Sequence, residues 1–163
     1  MIDNQPSRPY VKPMTRSWKF FGWRLALAGL LALLLAAPAG AGGVDDANAA
    51  NPGQTLHLQS LAVKGKSTLI DIYSPFCPPC MALAPVIEKL AAKRPDLAIQ
   101  RVNINRPGVQ GIDWRSPLAQ QYEIRQLPYF MIFNPQGQLV TEGRAATPQV
   151  ESWLKEAGLL QPR

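Results

Sequence analysis

The only two cysteines of the 163-residue chain stand two residues apart, as Cys77-Pro78-Pro79-Cys80. They lie at a junction. The apolar run 68–73 (TLIDIY) precedes them and reads as a central strand covered on both faces. The run 79–93 follows and reads as a helix. It places Met81, Leu83, Ala84, Ile87, Leu90 and Ala91 near one side, and Arg94-Pro95-Asp96 stops it. Two thiols at this spacing on a strand-to-helix turn can close one small disulfide ring. The first also sits at a helix N-terminus, where free backbone N–H groups and the helix dipole favour a thiolate. A dithiol redox enzyme needs this arrangement. A ring this small staples almost nothing, because stabilisation by a cross-link grows with loop length. A purely structural bridge is therefore the weaker explanation.

Downstream, residues 97–104 (LAIQRVNI) read as a strand and residues 105–116 as a Gly- and Pro-containing loop that carries Trp114. A short helix is expected over 117–122. A hairpin follows, 129–133 (YFMIF) and 138–142, through the turn at 135–137. A last helix is expected over 148–157, with Pro148 at a tolerated first-turn position and Gly158 as its stop. Upstream, residues 55–61 (TLHLQSL) alternate enough to predict a first strand. The order β, β, α, β, α, β, β, α implies an α/β domain: a mixed sheet with helices on both faces.

The N-terminal part has a different character. Residues 25–44 hold no charge, Arg16, Lys19 and Arg24 precede them, and Pro38-Ala39-Gly40-Ala41 ends the most apolar stretch. This pattern predicts a secretory signal peptide within residues 1–41, cut after Ala41 or Ala39. Met14 would give a leader of conventional length. The competing expectation is a retained membrane anchor through 25–44, long enough for a hydrocarbon core of ~30 Å. Residues 42–53 (GGVDDANAANPG) read as a flexible linker, and 54–163 as the folded domain. The formal net charge is +6, but residues 1–41 hold five Lys/Arg and one Asp and so supply +4 of it. The remainder is nearly neutral with interspersed charges, which argues against nucleic acid as a partner.

Several further residues fall into a known order. Asp71 lies in the apolar strand six residues before Cys77, Pro85 eight residues after it, and Leu127-Pro128 immediately precedes the strand at 129–133. Over residues 55–160 this resembles the thioredoxin family. The resemblance implies a thioredoxin-like fold, with the first helix reduced or absent over 60–66 and the 105–116 loop longer than usual. It implies that Cys77 is an exposed nucleophile and Cys80 a buried resolving thiol. Asp71 would be a buried carboxylate that accepts the Cys80 proton, its pKa raised by burial. Leu127-Pro128 would form a cis-proline turn that offers the Leu127 backbone to a substrate strand. Phe76, where relatives carry Trp, would keep an apolar lip, so Phe76, Leu127 and Pro128 are the expected substrate-binding residues. Arg101 falls where a lysine often neighbours the acid. Read on its own it is an exposed strand residue.

The expected function is a thiol–disulfide oxidoreductase acting on exported proteins in the periplasm. No His lies between the cysteines, whereas strongly oxidising relatives often carry one there, so the resemblance favours a reducing or intermediate poise. Such an enzyme needs no soluble cofactor, and the resemblance implies a membrane electron-relay protein that recharges it. The alternatives are a disulfide-donating oxidase of the same fold, a non-catalytic binding or assembly module using the 105–116 loop, and a dithiol that binds Cu(I). No metal site is expected: a structural zinc wants four ligands, and the single His57 falls on the expected first strand.

Overall fold

A computed structural model describes residues 43–160, so the leader expected over 1–41 lies outside the described residues. The described elements are β1 (Val44–Asp46), β2 (Ser67–Tyr73), α1 (Pro78–Lys93), β3 (Leu97–Asn103), α2 (Pro117–Gln121), β4 (Tyr129–Phe133), β5 (Leu139–Glu142) and α3 (Thr147–Glu156). The sheet runs β1-β3-β2-β4-β5. β3 is parallel to both β1 and β2, and β4 is antiparallel to both β2 and β5. No helix among the described residues is long and apolar enough to cross a membrane.

Strand alternation sorts the core into two layers. Leu69, Leu97, Ile99, Phe130 and Ile132 face α1 and α3, where they meet Ile87, Leu90, Val150, Trp153 and Leu154. Ile70, Ile72, Val102, Met131 and Phe133 face the opposite way, toward Leu118 and Ala119 of α2 and toward Leu58. Helices therefore cover both faces, as the element order predicts. β2, in the middle, is buried on both sides and reads accordingly as an unbroken apolar run.

The N-terminal edge corrects two expectations. Residues 42–53 are not a linker from Val44 onward: Val44–Asp46 is a strand in register with Ile99–Arg101. Its continuation hugs the same edge. The Ala47 N–H donates to the Arg101 carbonyl at 2.9 Å and the Gly53 N–H to the Asn103 carbonyl at 2.9 Å. Between them the Asn48 side-chain amide acts as a piece of strand. Its Nδ2 donates to the Asn103 carbonyl at 2.8 Å and its Oδ1 accepts the Asn103 N–H at 2.9 Å. Gly53 is required here, since at φ +74° a Cβ would lie 2.8 Å from the Ile104 carbonyl oxygen.

With β1 on that edge, residues 55–61 do not join the sheet. They form a 3-10 turn, Leu58–Leu61, which buries Leu58. The Tyr122 hydroxyl holds it by accepting from the Leu58 N–H and donating to the Leu56 carbonyl, both at 2.9 Å. His57 is thus the exposed residue before a turn, not a strand residue. This turn is all the helix present where the reduced first helix was expected.

Asn48→Ala removes two hydrogen bonds that a linker would not make. It is expected to cost about 1–3 kcal/mol of stability in urea denaturation. A parent-like midpoint would mean that β1 and its continuation contribute nothing.

Candidate active site

α1 begins at the redox motif, where the sequence offers a helix start. Cys77 is the N-cap in an extended conformation (φ −101°, ψ 102°), and Pro78 and Pro79 occupy the first two helical positions. Proline fits there because those N–H groups would have no helical partner. Cys77 and Cys80 are joined as a disulfide. The Cys80 N–H points at Cys77 Sγ at 3.3 Å. With two prolines between them, it is the nearest amide donor that α1 can offer this sulfur. Pro85 stands inside the helix as expected.

The expected exposure of Cys77 is corrected: it is 2% exposed and Cys80 1%, so both are buried in the disulfide form. The surface around them is made by Pro75, Phe76, Pro78, Pro79 and Met81. Phe76 does form an exposed apolar residue beside the motif. Met81, expected to face inward, is also exposed. The reason is angular: Cys80, Ala84, Ile87, Leu90 and Ala91 define the buried stripe, and Met81 lies about 100° off Cys80. The Leu127–Pro128 peptide bond is cis, and both residues are partly buried at the start of β4.

Asp71 is 2% exposed. It has the same parity in β2 as Leu69, so it faces the side of the sheet that α1 covers. Three strands bring charge into one row there, because Asp46 of β1 and Asp71 of β2 both stand in register with Arg101 of β3. Arg101 Nε lies 3.3 Å from Asp71 Oδ2, and the Arg101 side chain is only 11% exposed. Its guanidinium stacks 3.9 Å from the centroid of the Tyr73 ring, a cation–π contact. Reading Arg101 as an exposed strand residue is thereby corrected: β1 covers the edge on which it would have been exposed. Asp71 Oδ1 and Arg101 Nη2 are buried without a hydrogen-bond partner, so the pair is incompletely satisfied. Burial outweighs the opposing pull of Arg101 and pushes the Asp71 pKa from 3.8 up to about 6. Burial likewise raises the Tyr73 hydroxyl, with Asp46 adding to it.

The 105–116 loop is not loosely appended. Asn105, Asp113 and Ser116 are buried polar residues. Arg106 Nε and Nη2 donate to the Asp113 carboxylate at 2.6 and 3.0 Å. Ser116 caps α2 by accepting the Ala119 N–H. Trp114 is half-exposed and lines an open pocket of about 480 Å³ with Ala119, Gln120, Glu123, Ile124 and Arg125. Among the described residues no three His, Cys, Asp or Glu side chains gather as a metal site would require.

Residues 54–156 match the profile of the family described as Thioredoxin. A thioredoxin-like protein of Fusarium culmorum is 37% identical over 91 residues, covering 54% of this chain and 69% of that protein. Thioredoxin of Chlamydia pneumoniae is 34% identical over 65 residues, covering 40% of this chain and 56% of that protein. The crystal structure of the short form of thioredoxin f from spinach chloroplast matches with a TM-score of 0.51 at 24% identity, over 72% of this chain and 96% of that one. That likeness bears on the fold, which is thioredoxin-like α/β.

The raised Asp71 pKa has a signed consequence. The folded protein holds this proton more tightly than the unfolded chain does. The stability that gives is complete below about pH 4 and is lost as the pH rises through about 6. Asp71→Asn abolishes the titration. In urea titrations its stability relative to the parent is expected to improve by about 2–3 kcal/mol between pH 4 and pH 8. A difference that stays flat over that range would contradict the raised pKa.

Proposed function

The chain belongs to the thioredoxin family of protein-disulfide oxidoreductases, and on that premise we propose that it reduces disulfides in exported proteins in a bacterial periplasm. The observation that carries the direction of flow is the poverty of donors around Cys77. The Cys80 N–H is the nearest helical amide, the two intervening prolines supply none, and no imidazole lies within the motif. A thiolate with little stabilisation makes the dithiol form less stable and the potential more negative. The exported setting is supported by the basic and apolar pattern of residues 1–41.

The reaction moves two electrons and two protons from the Cys77–Cys80 dithiol to the substrate disulfide, the Cys77 proton passing through solvent. The Cys77 thiolate attacks one sulfur of the substrate disulfide, and the other substrate sulfur leaves as a thiolate that takes a proton. Cys80, deprotonated by Asp71 directly or through water, then attacks Cys77 Sγ. That step closes the Cys77–Cys80 disulfide and releases the second substrate thiol. Asp71, its pKa raised by burial to about 6, is suited to accept and return that proton. Phe76 supplies an apolar contact for the substrate chain, and the Leu127 backbone before Pro128 supplies the polar one. A membrane electron-relay protein reduces the Cys77–Cys80 disulfide for the next turnover.

The reduction potential tests the direction. The expected value lies between roughly −270 and −180 mV and nearer the former. In cells the motif is expected to be largely reduced and to become oxidised when the membrane relay is deleted. A value near about −120 mV, the level of a strong periplasmic oxidant, with a steadily oxidised motif would reverse the reading. The protein would then donate disulfides.

A further inference from the structure

The reaction described above leaves one buried polar network unused. Asn105, 4% exposed, heads the long loop, and its main partner lies outside that loop. The Ser74 hydroxyl, on a residue that is 0% exposed, donates to Asn105 Oδ1 at 2.6 Å. The same Ser74 Oγ accepts the Phe76 N–H at 3.1 Å. The Ser74 carbonyl accepts the Cys77 N–H at 3.1 Å. Ser74 thus closes the turn that delivers Cys77 to the start of α1, and Asn105 orients Ser74.

Asn105 is itself fixed from three directions. Its Nδ2 donates to the Gly111 carbonyl at 2.6 Å, its Oδ1 also accepts the Asp113 N–H at 3.3 Å, and its own N–H donates to Asn103 Oδ1 at 2.8 Å. The Arg106–Asp113 pair braces the loop further. A buried amide with this many partners has one rotamer available, and it passes that rigidity to Ser74.

We propose that Asn105 is a positioning residue for Cys77, holding the 74–77 turn through Ser74 so that Cys77 Sγ stays at the Cys80 N–H once the disulfide is open. The proposal rests on the reading of Cys77 as the nucleophile. In the oxidised protein the covalent ring holds the two residues together. In the reduced protein that tie is gone, and the hydrogen bonds of Ser74 remain to fix where the sulfur lies. A turn that loosens lets Sγ drift from its amide donor. The thiolate is then less favoured and attacks from a wider range of directions.

The test uses the reduced full chain and the variants Asn105→Ala, Ser74→Ala and the double variant. Two quantities are read: the pH midpoint of thiolate absorbance at 240 nm, and the rate of exchange with a small aromatic disulfide. Each single variant is expected to slow exchange by about fivefold and to raise the thiolate midpoint. The double variant should be no slower than either single, because both cut one connection. Parent-like rates and midpoints in folded single variants, or fully additive losses in the double, overturn the proposal. If Asn105→Ala does not fold, Ser74→Ala carries the same test, since it leaves the loop's own bonds in place. Slowed exchange with a raised midpoint supports the proposal, and unchanged values reject it. Cys77→Ser is run alongside on insulin. Residual activity there would overturn the nucleophile assignment itself. An inactive Cys77→Ser beside a parent-like Asn105→Ala would reject only the positioning role.

Discussion

The structure depends on the double burial of β2. This strand pairs in parallel with β3 over seven residues and in antiparallel with β4 over five. Its two faces seed both halves of the core. Because it is fixed on every side, its C-terminal end is a rigid platform. The chain leaves that end through Ser74, Pro75 and Phe76 and enters α1 at once. Cys77 therefore sits at a helix start whose position is set by the centre of the sheet. That placement brings Cys77 Sγ to the helix N-terminus, beside the Cys80 N–H.

The same burial carries an electrostatic cost at Asp71. A carboxyl placed in β2 loses water on both sides, and one cation at 3.3 Å compensates only part of the loss. Arg101 stacks on the Tyr73 ring and lies in a strand whose outer edge β1 covers, so its side chain is largely buried. Asp71 Oδ1 and Arg101 Nη2, buried without a protein hydrogen-bond partner, show that the compensation is incomplete.

The elements that were legible in the sequence are those whose signal is chemical and local. The CPPC motif, the unbroken run of β2, the proline-started helices and the Pro-Gln-Gly hairpin turn each state their own conformation. β1 was illegible because Val-Asp-Asp has no apolar period. It is held by main-chain bonds along an open edge and by the Asn48 amide, which no pattern of hydrophobicity records. The Leu alternation of residues 55–61 reads as a first strand, and Arg101, read on its own, looks exposed. Both errors disappear once β1 takes its place. The Ser74–Asn105 contact spans 31 residues and joins two side chains common in any loop. Only the fold brings them together.

Family membership assigns the chemistry to the Cys77–Cys80 pair, but burial alone does not rank the two sulfurs, since both residues are almost fully covered as a disulfide. The asymmetry has to come from position: Cys77 outside the first turn with an amide aimed at it, Cys80 inside the helix. The direct measurement is time-resolved alkylation of the reduced chain with iodoacetamide, read peptide by peptide by mass spectrometry. Cys77 is expected to be modified well before Cys80, at a rate that follows a single thiolate titration. Equal rates at the two cysteines, or Cys80 reacting first, would contradict the assignment on which the mechanism rests.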